Sequence, residues 1–159
     1  MKKLTYILAS LLLVLAASIN TATAQSNEEV TMLVQQTKQD IEKNALQTLA
    51  RINRAEHPYN NKDNTSLYVF VFDTALTVRA HPTRTFIIGK NVKGKPDTKG
   101  KNFRDEMLAK SMTDGGGWVD YYFINPKTKK EEHKNTYFEL AKGSDGNSYI
   151  VASGKYFDK

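Results

Sequence analysis

The chain of 159 residues contains no cysteine. That absence removes disulfides, thiol nucleophiles and thiolate metal sites together, so stability has to come from an apolar core. Long apolar runs are equally scarce. The one extended run, residues 4–17, follows Met1, Lys2 and Lys3. It has the size of a signal-peptide core, about 7–15 residues, and falls short of the ~20 that span a bilayer. Ala22, Thr23 and Ala24 then supply the small residues of a cleavage site. The expectation is a signal peptide over residues 1–24 and a periplasmic or secreted chain starting at Gln25. Acids are outnumbered, with 17 Asp and Glu against 23 Lys and Arg, for a formal charge of +6. Lys2 and Lys3 leave with the leader, so the remainder carries +4. In an exported protein this balance points to small acidic molecules or an anionic surface as partners and not to nucleic acid. Catalytic signatures are missing too: there is no G-x-S-x-G elbow, phosphate-cradling loop, H-E-x-x-H or paired-carboxylate pattern. "DTKGKNFRDE" places lysines where a calcium loop needs carboxylates. No catalytic residue, metal or cofactor is therefore assigned.

Residues 25–159 suffice for one domain. Ser26 with Glu29 three residues on reads as a capping box, and Val30, Leu33, Val34, Ile41, Ala45, Leu49 and Ile52 form an apolar stripe at helical spacing. The pattern predicts a long helix from 26 to 56, ended by His57-Pro58. "LYVFVF" is apolar on both faces and suits a central strand, and "LTVRA" follows it. Period two puts Leu76, Val78 and Ala80 on one face of that second strand and Thr77, Arg79 and His81 on the other. A lysine- and glycine-rich loop leads to a short helix near residues 103–112. Three glycines, Gly115, Gly116 and Gly117, precede "WVDYYFI", and two further strands, "EEHKNTYFELA" and "YIVASGKY", close the chain in consecutive hairpins. The sum is an α+β domain in which a long N-terminal helix packs on a five-stranded antiparallel sheet, with the helices on one side.

In this order, "RAHPTRTFIIGKNV", "GGGWVDYYFINPKTKKEEHKNTYF" and "YIVASGKY" resemble the single Cache domain, an extracellular sensor module with a PAS-like fold. The resemblance runs from the long helix to the C-terminus. It rests on the His-Pro, the Gly-Trp-Val-x-Tyr strand, the Asn-Pro hairpin, the Lys-x-x-Tyr strand and the closing Ser-Gly-x-Tyr. It implies a pocket between the sheet and the loops above it that binds small anionic or polar metabolites, often short organic acids, in chemoreceptors and sensor kinases. The positions matching the family motifs are His81, Trp118, Tyr121, Lys134 and Tyr137. Strand alternation adds Arg79, and Gly116 and Gly117 are added as amide donors to an anion. Lys134 would supply charge, Tyr121 a neutral donor, and His81 a donor or a proton acceptor. Alternation places Lys134 and Tyr137 on opposite faces of their strand, so Lys134 is preferred for the pocket.

The family's receptors continue into a membrane helix and a signalling module, whereas this sequence ends at Lys159. The expectation is a sensory binding domain without its own output, with a membrane chemoreceptor or sensor kinase as partner. The alternative is an interaction module that docks on such a receptor or forms a homodimer through its N-terminal helix.

Overall fold

The computed structural model describes residues 26–157, so the expected signal peptide lies outside the described residues. The capping box is present at the start of α1 (Asn27–Asn53): Glu29 N–H donates to Ser26 Oγ and Ser26 N–H to Glu29 Oε2, each at 3.0 Å. The helix is broken at Asn44 (φ −153, ψ 87). Asn44 serves as an internal cap, its Oδ1 accepting from Gln47 N–H at 3.1 Å. Ser144 fills the break from outside. Its Oγ accepts from Ala45 N–H at 2.9 Å and its N–H donates to Ile41 O at 3.2 Å, so both freed backbone groups are satisfied. No periodicity signal reveals this, because Ile41 and Ala45 keep their spacing of four across the break.

The strands β1 (Val69–Asp73), β2 (Val78–Ala80), β3 (Gly116–Ile124), β4 (Glu131–Lys142) and β5 (Ser148–Tyr156) form one antiparallel sheet in the order β2-β1-β5-β4-β3. On one face Val34, Ile41, Ala45, Leu49 and Ile52 of α1 pack on Val69, Val71, Tyr149 and Val151. On the other, Phe103 and Met107 of α2 (Phe103–Asp114) pack with Phe70, Phe72, Val119, Tyr121 and Phe138. Apolar residues on both sides of β1 thus meet a helix each. The expected placement of helices on one side is corrected, while the α+β arrangement of a long helix on a five-stranded antiparallel sheet stands. None of the described helices is long and apolar enough to cross a membrane.

The second correction concerns β2. Its register steps from Val71↔Ala80 to Phe72↔Val78, which makes Arg79 the extra residue of a bulge. Val78 therefore packs on the α2 side and Ala80 on the α1 side, where strict alternation put them together. Arg79 is turned outward, with its Nη1 3.8 Å from Asp73 Oδ2, and His81 is turned in. The shared face expected for these two residues does not exist.

The glycines answer to packing. Gly115 (φ +77) ends α2 in the left-handed conformation, and its carbonyl accepts from Leu140 N–H at 2.8 Å. A Cβ on Gly116 would collide with the Phe138 carbonyl. Gly116 and Gly117 enter the ladder opposite Glu139 and Phe138.

Candidate functional site

The α2-side face carries a transverse row of polar side chains set by register: Tyr121 on β3 pairs with Lys134 on β4, which pairs with Tyr156 on β5. Alternation puts all three on one face. Tyr68, just before β1, and His81, just after β2, complete the group.

Lys134 is fully buried. Its Nζ donates to Tyr68 Oη at 2.9 Å and lies over four rings, 4.1 Å from the centroid of Tyr68, 4.8 Å from Tyr156, 5.0 Å from Phe70 and 5.9 Å from Phe123. Ring faces attract an ammonium through their quadrupoles but replace only part of its lost hydration. Burial accordingly holds the amine well below the usual lysine range. The hydroxyls continue as a chain: Tyr68 Oη lies 3.1 Å from Tyr156 Oη, which donates to Ile124 O at 2.9 Å. With Tyr156 donating to that carbonyl and Lys134 donating to Tyr68, the proton between the two tyrosines belongs to Tyr68. Burial raises the Tyr68 phenol to about 12 and raises Tyr121 and Tyr156 as well, so all three stay protonated.

His81 stacks near Phe70, with centroids 5.9 Å apart, and near Tyr68 at 5.2 Å. Burial first, then the charges of Lys134, Arg84 and Arg104, push it from 6.5 down to about 3. It is a neutral imidazole at pH 7. Tyr121 stacks flat on Phe103 (3.7 Å, 4°), and its Oη accepts from Thr136 Oγ1 at 3.0 Å.

Above this layer lies a cavity walled by Tyr68, Phe70, His81, Phe103, Tyr121 and Phe123, with Arg104 at its rim. Its volume is about 10 Å³, room for about one water. Lys134 sits one layer deeper, behind Tyr68 and Phe70. Arg104 rests on the Phe103 ring at 4.1 Å and donates to Lys95 O at 2.9 Å. Arg84 rests on Phe86 and Phe123, 5.1 Å from each centroid. A guanidinium held by its face keeps its in-plane N–H fork for a carboxylate.

Of the residues expected in the pocket, His81, Tyr121 and Lys134 come together. Trp118 and Tyr137 pair with each other (5.1 Å) on the α1 face, where Tyr137 Oη donates to Glu139 Oε1 at 2.7 Å, so they and Arg79 stand apart from the cavity. The lysines of the 90–101 loop are exposed, and Asp97 hooks that loop to the outer edge of β3 by accepting from Tyr122 N–H at 2.9 Å.

Sequence reasoning missed Tyr68, Arg84, Arg104 and Gly154. Arg84 stands inside the quoted "HPTR", and alternation from Phe70 would have found Tyr68. Gly154, opposite Thr136, makes the space for the buried lysine: a Cβ there would collide with Thr136 Oγ1 and approach Lys134 Cε to 2.9 Å. Gly154→Ala is expected to cost about 1–3 kcal/mol through overpacking, read by urea unfolding. An unchanged midpoint would show that the neighbourhood can give way.

A buried lysine and aromatic layer thus lies under a small cavity, on a sheet clasped between a long helix and a short one. The sequence profile of the single Cache domain 2 family matches residues 15–159, and the chain belongs to that family. Solved structures share the fold. One is a Cache chemosensory domain solved for its carboxylic acid recognition (TM-score 0.66, 24% identity, covering 82% of this chain and 92% of that one). Another is the periplasmic sensor domain of a chemotaxis protein (TM-score 0.63, 22% identity, 82% and 90% covered). A third is a methyl-accepting chemotaxis protein from Vibrio parahaemolyticus RIMD 2210633 (TM-score 0.65, 16% identity, 82% and 88% covered). A comparison with curated protein sequences finds no match.

Proposed function

We propose that this domain binds a short carboxylic acid in the cavity over Lys134 and reports its presence without turning it over. The observation that carries the reading is the buried Lys134 amine, held by one hydroxyl and four ring faces and lying behind a cavity with Arg104 at its rim. A carboxylate leaving water requires charge-assisted hydrogen bonds, and a buried neutral amine gains most from an anion beside which it can take up a proton from solvent. Tyr121, neutral His81 and the aromatic walls fit an uncharged, apolar remainder of the ligand. At about 10 Å³ the cavity is too small for a carboxylic acid. Binding therefore includes an outward shift of the Tyr68 or Phe70 ring, which brings the ligand to Lys134. No turnover is assigned: the tyrosines are held protonated, the histidine is neutral, and the Thr83 hydroxyl lies 3.5 Å from His81 Nδ1, at the limit of hydrogen bonding.

The structural relative that recognises carboxylic acids supports the ligand class, and the periplasmic relative supports export through the N-terminal leader. Export is checked by the mass of the secreted chain, which should start at Gln25. The ligand class is checked by thermal shift against short carboxylates, amino acids and amines. Propionate at a hundredfold excess over its Kd should add about 2.7 kcal/mol, several degrees in Tm. No shift with any carboxylate overturns the reading.

A further inference from the structure

Next to this small cavity lies an open cleft bordered by Thr65, Thr83, Arg84, Ile124, Pro126 and Lys129, with a volume of about 400 Å³. A small organic anion has room in this cleft and has none in the cavity. The lining suits one: two cations and two hydroxyls surround an apolar floor of Ile124, which is 45% exposed, and Pro126.

One wall is rigidly built. Lys129 lies in the β3–β4 turn, in a left-handed conformation (φ +62), with its N–H donating to Asn125 O at 2.8 Å. Asn125 is itself buried and tied on both sides, accepting from Ser66 Oγ at 2.8 Å and donating to Glu132 Oε2 at 2.6 Å. The opposite wall is made of ring contacts. Arg84 lies against Phe86, which is 65% exposed, and against Phe123, which walls the cavity. Arg84 thus borders the outer cleft while its charge reaches His81 and Tyr68 inside. The hydroxyl chain from Lys134 through Tyr68 and Tyr156 also ends at the carbonyl of Ile124, a cleft residue.

We propose that the outer cleft is a second, weaker carboxylate site that receives the ligand first and passes it by Arg84 into the cavity. The proposal rests on the carboxylate reading of the cavity. Lys129 acts only in the cleft, so it affects capture; Lys134 acts only inside, so it affects retention.

The test is a backbone-amide NMR titration of the purified protein with propionate, repeated on Lys129→Gln and Lys134→Met. Amides of Thr83, Ile124 and Lys129 should move with a weaker apparent constant than those of His81 and Tyr121. Lys134→Met should silence the inner set and leave the outer set moving. Lys129→Gln should weaken the outer set at least threefold and slow association with the cavity by a similar factor, with dissociation unchanged in the line shapes. A silent cleft beside a responding cavity, or cavity association untouched by Lys129→Gln, overturns this inference alone. A responding cleft beside a silent cavity in the unmodified protein overturns the delivery role together with the reading it rests on.

Discussion

Replacing Lys134 with Met should make the ligand-free protein more stable by about 1–3 kcal/mol while removing the response of its inner cavity to propionate. Lys134 is fully enclosed, and one hydroxyl and four ring faces stand where water stood. Exchanging such a group for an apolar side chain of similar length is commonly neutral or stabilising. Proton linkage gives the effect a direction in pH. The folded-state value lies well below the ordinary 10.5, so below pH 10.5 the unfolded chain binds a proton that the folded chain resists. Unmodified protein should therefore lose stability as pH falls from 10.5 toward the folded value, and Lys134→Met should lack that slope. Urea unfolding at pH 7 and pH 9 measures both. A variant that is less stable than the unmodified protein yet still responds to propionate would mean that the lysine is structural.

A second large effect should appear in acid. His81 titrates near 6.5 when unfolded and is pushed down to about 3 when folded, by burial and then by the charges of Lys134, Arg84 and Arg104. A depressed folded value means that the unfolded chain binds more protons, so the stability is complete above about pH 6.5 and is lost as pH falls toward 3. The loss is on the order of 4 kcal/mol, a large part of the 5–15 kcal/mol typical of a domain. Acid unfolding should therefore be cooperative and centred above pH 3. His81→Gln, which carries no proton in this range, should move the midpoint downward. If the two proteins unfold at the same pH, acid stability is governed by other groups.

How much of this could be read beforehand depends on which interactions are local. The capping box, the two-sided β1 strand and the closing hairpins are written in neighbouring residues, and they stand where periodicity put them. Lys134 and Tyr121 came from motif matching, and their pairing across β3 and β4 follows from the hairpin register. The failures lie where a strand leaves its period. One extra residue at Arg79 turned His81 to the opposite face, and nothing in "LTVRA" marks a bulge. The helix break at Asn44 depends on Ser144, far away in sequence. Trp118 and Tyr137 match the motif yet form a cross-strand pair on the α1 face, so a motif position need not be a ligand contact. Arg84 of the outer cleft and Arg104 of the cavity rim escaped because each lies in a loop or first helical turn that folds over the sheet only in three dimensions.

Ligand retention depends on a carboxylate reaching Lys134, whose amine then takes up a proton from solvent. The direct measurement is a calorimetric titration of propionate into the unmodified protein and Lys134→Met, in two buffers of different ionisation enthalpy. Unmodified protein should give saturable heat with up to one proton taken up per ligand because the buried amine becomes charged, and Lys134→Met should lose that tighter, proton-linked component and keep only the weak heat of the outer cleft. Equal binding by both proteins, or binding without proton uptake, would contradict it.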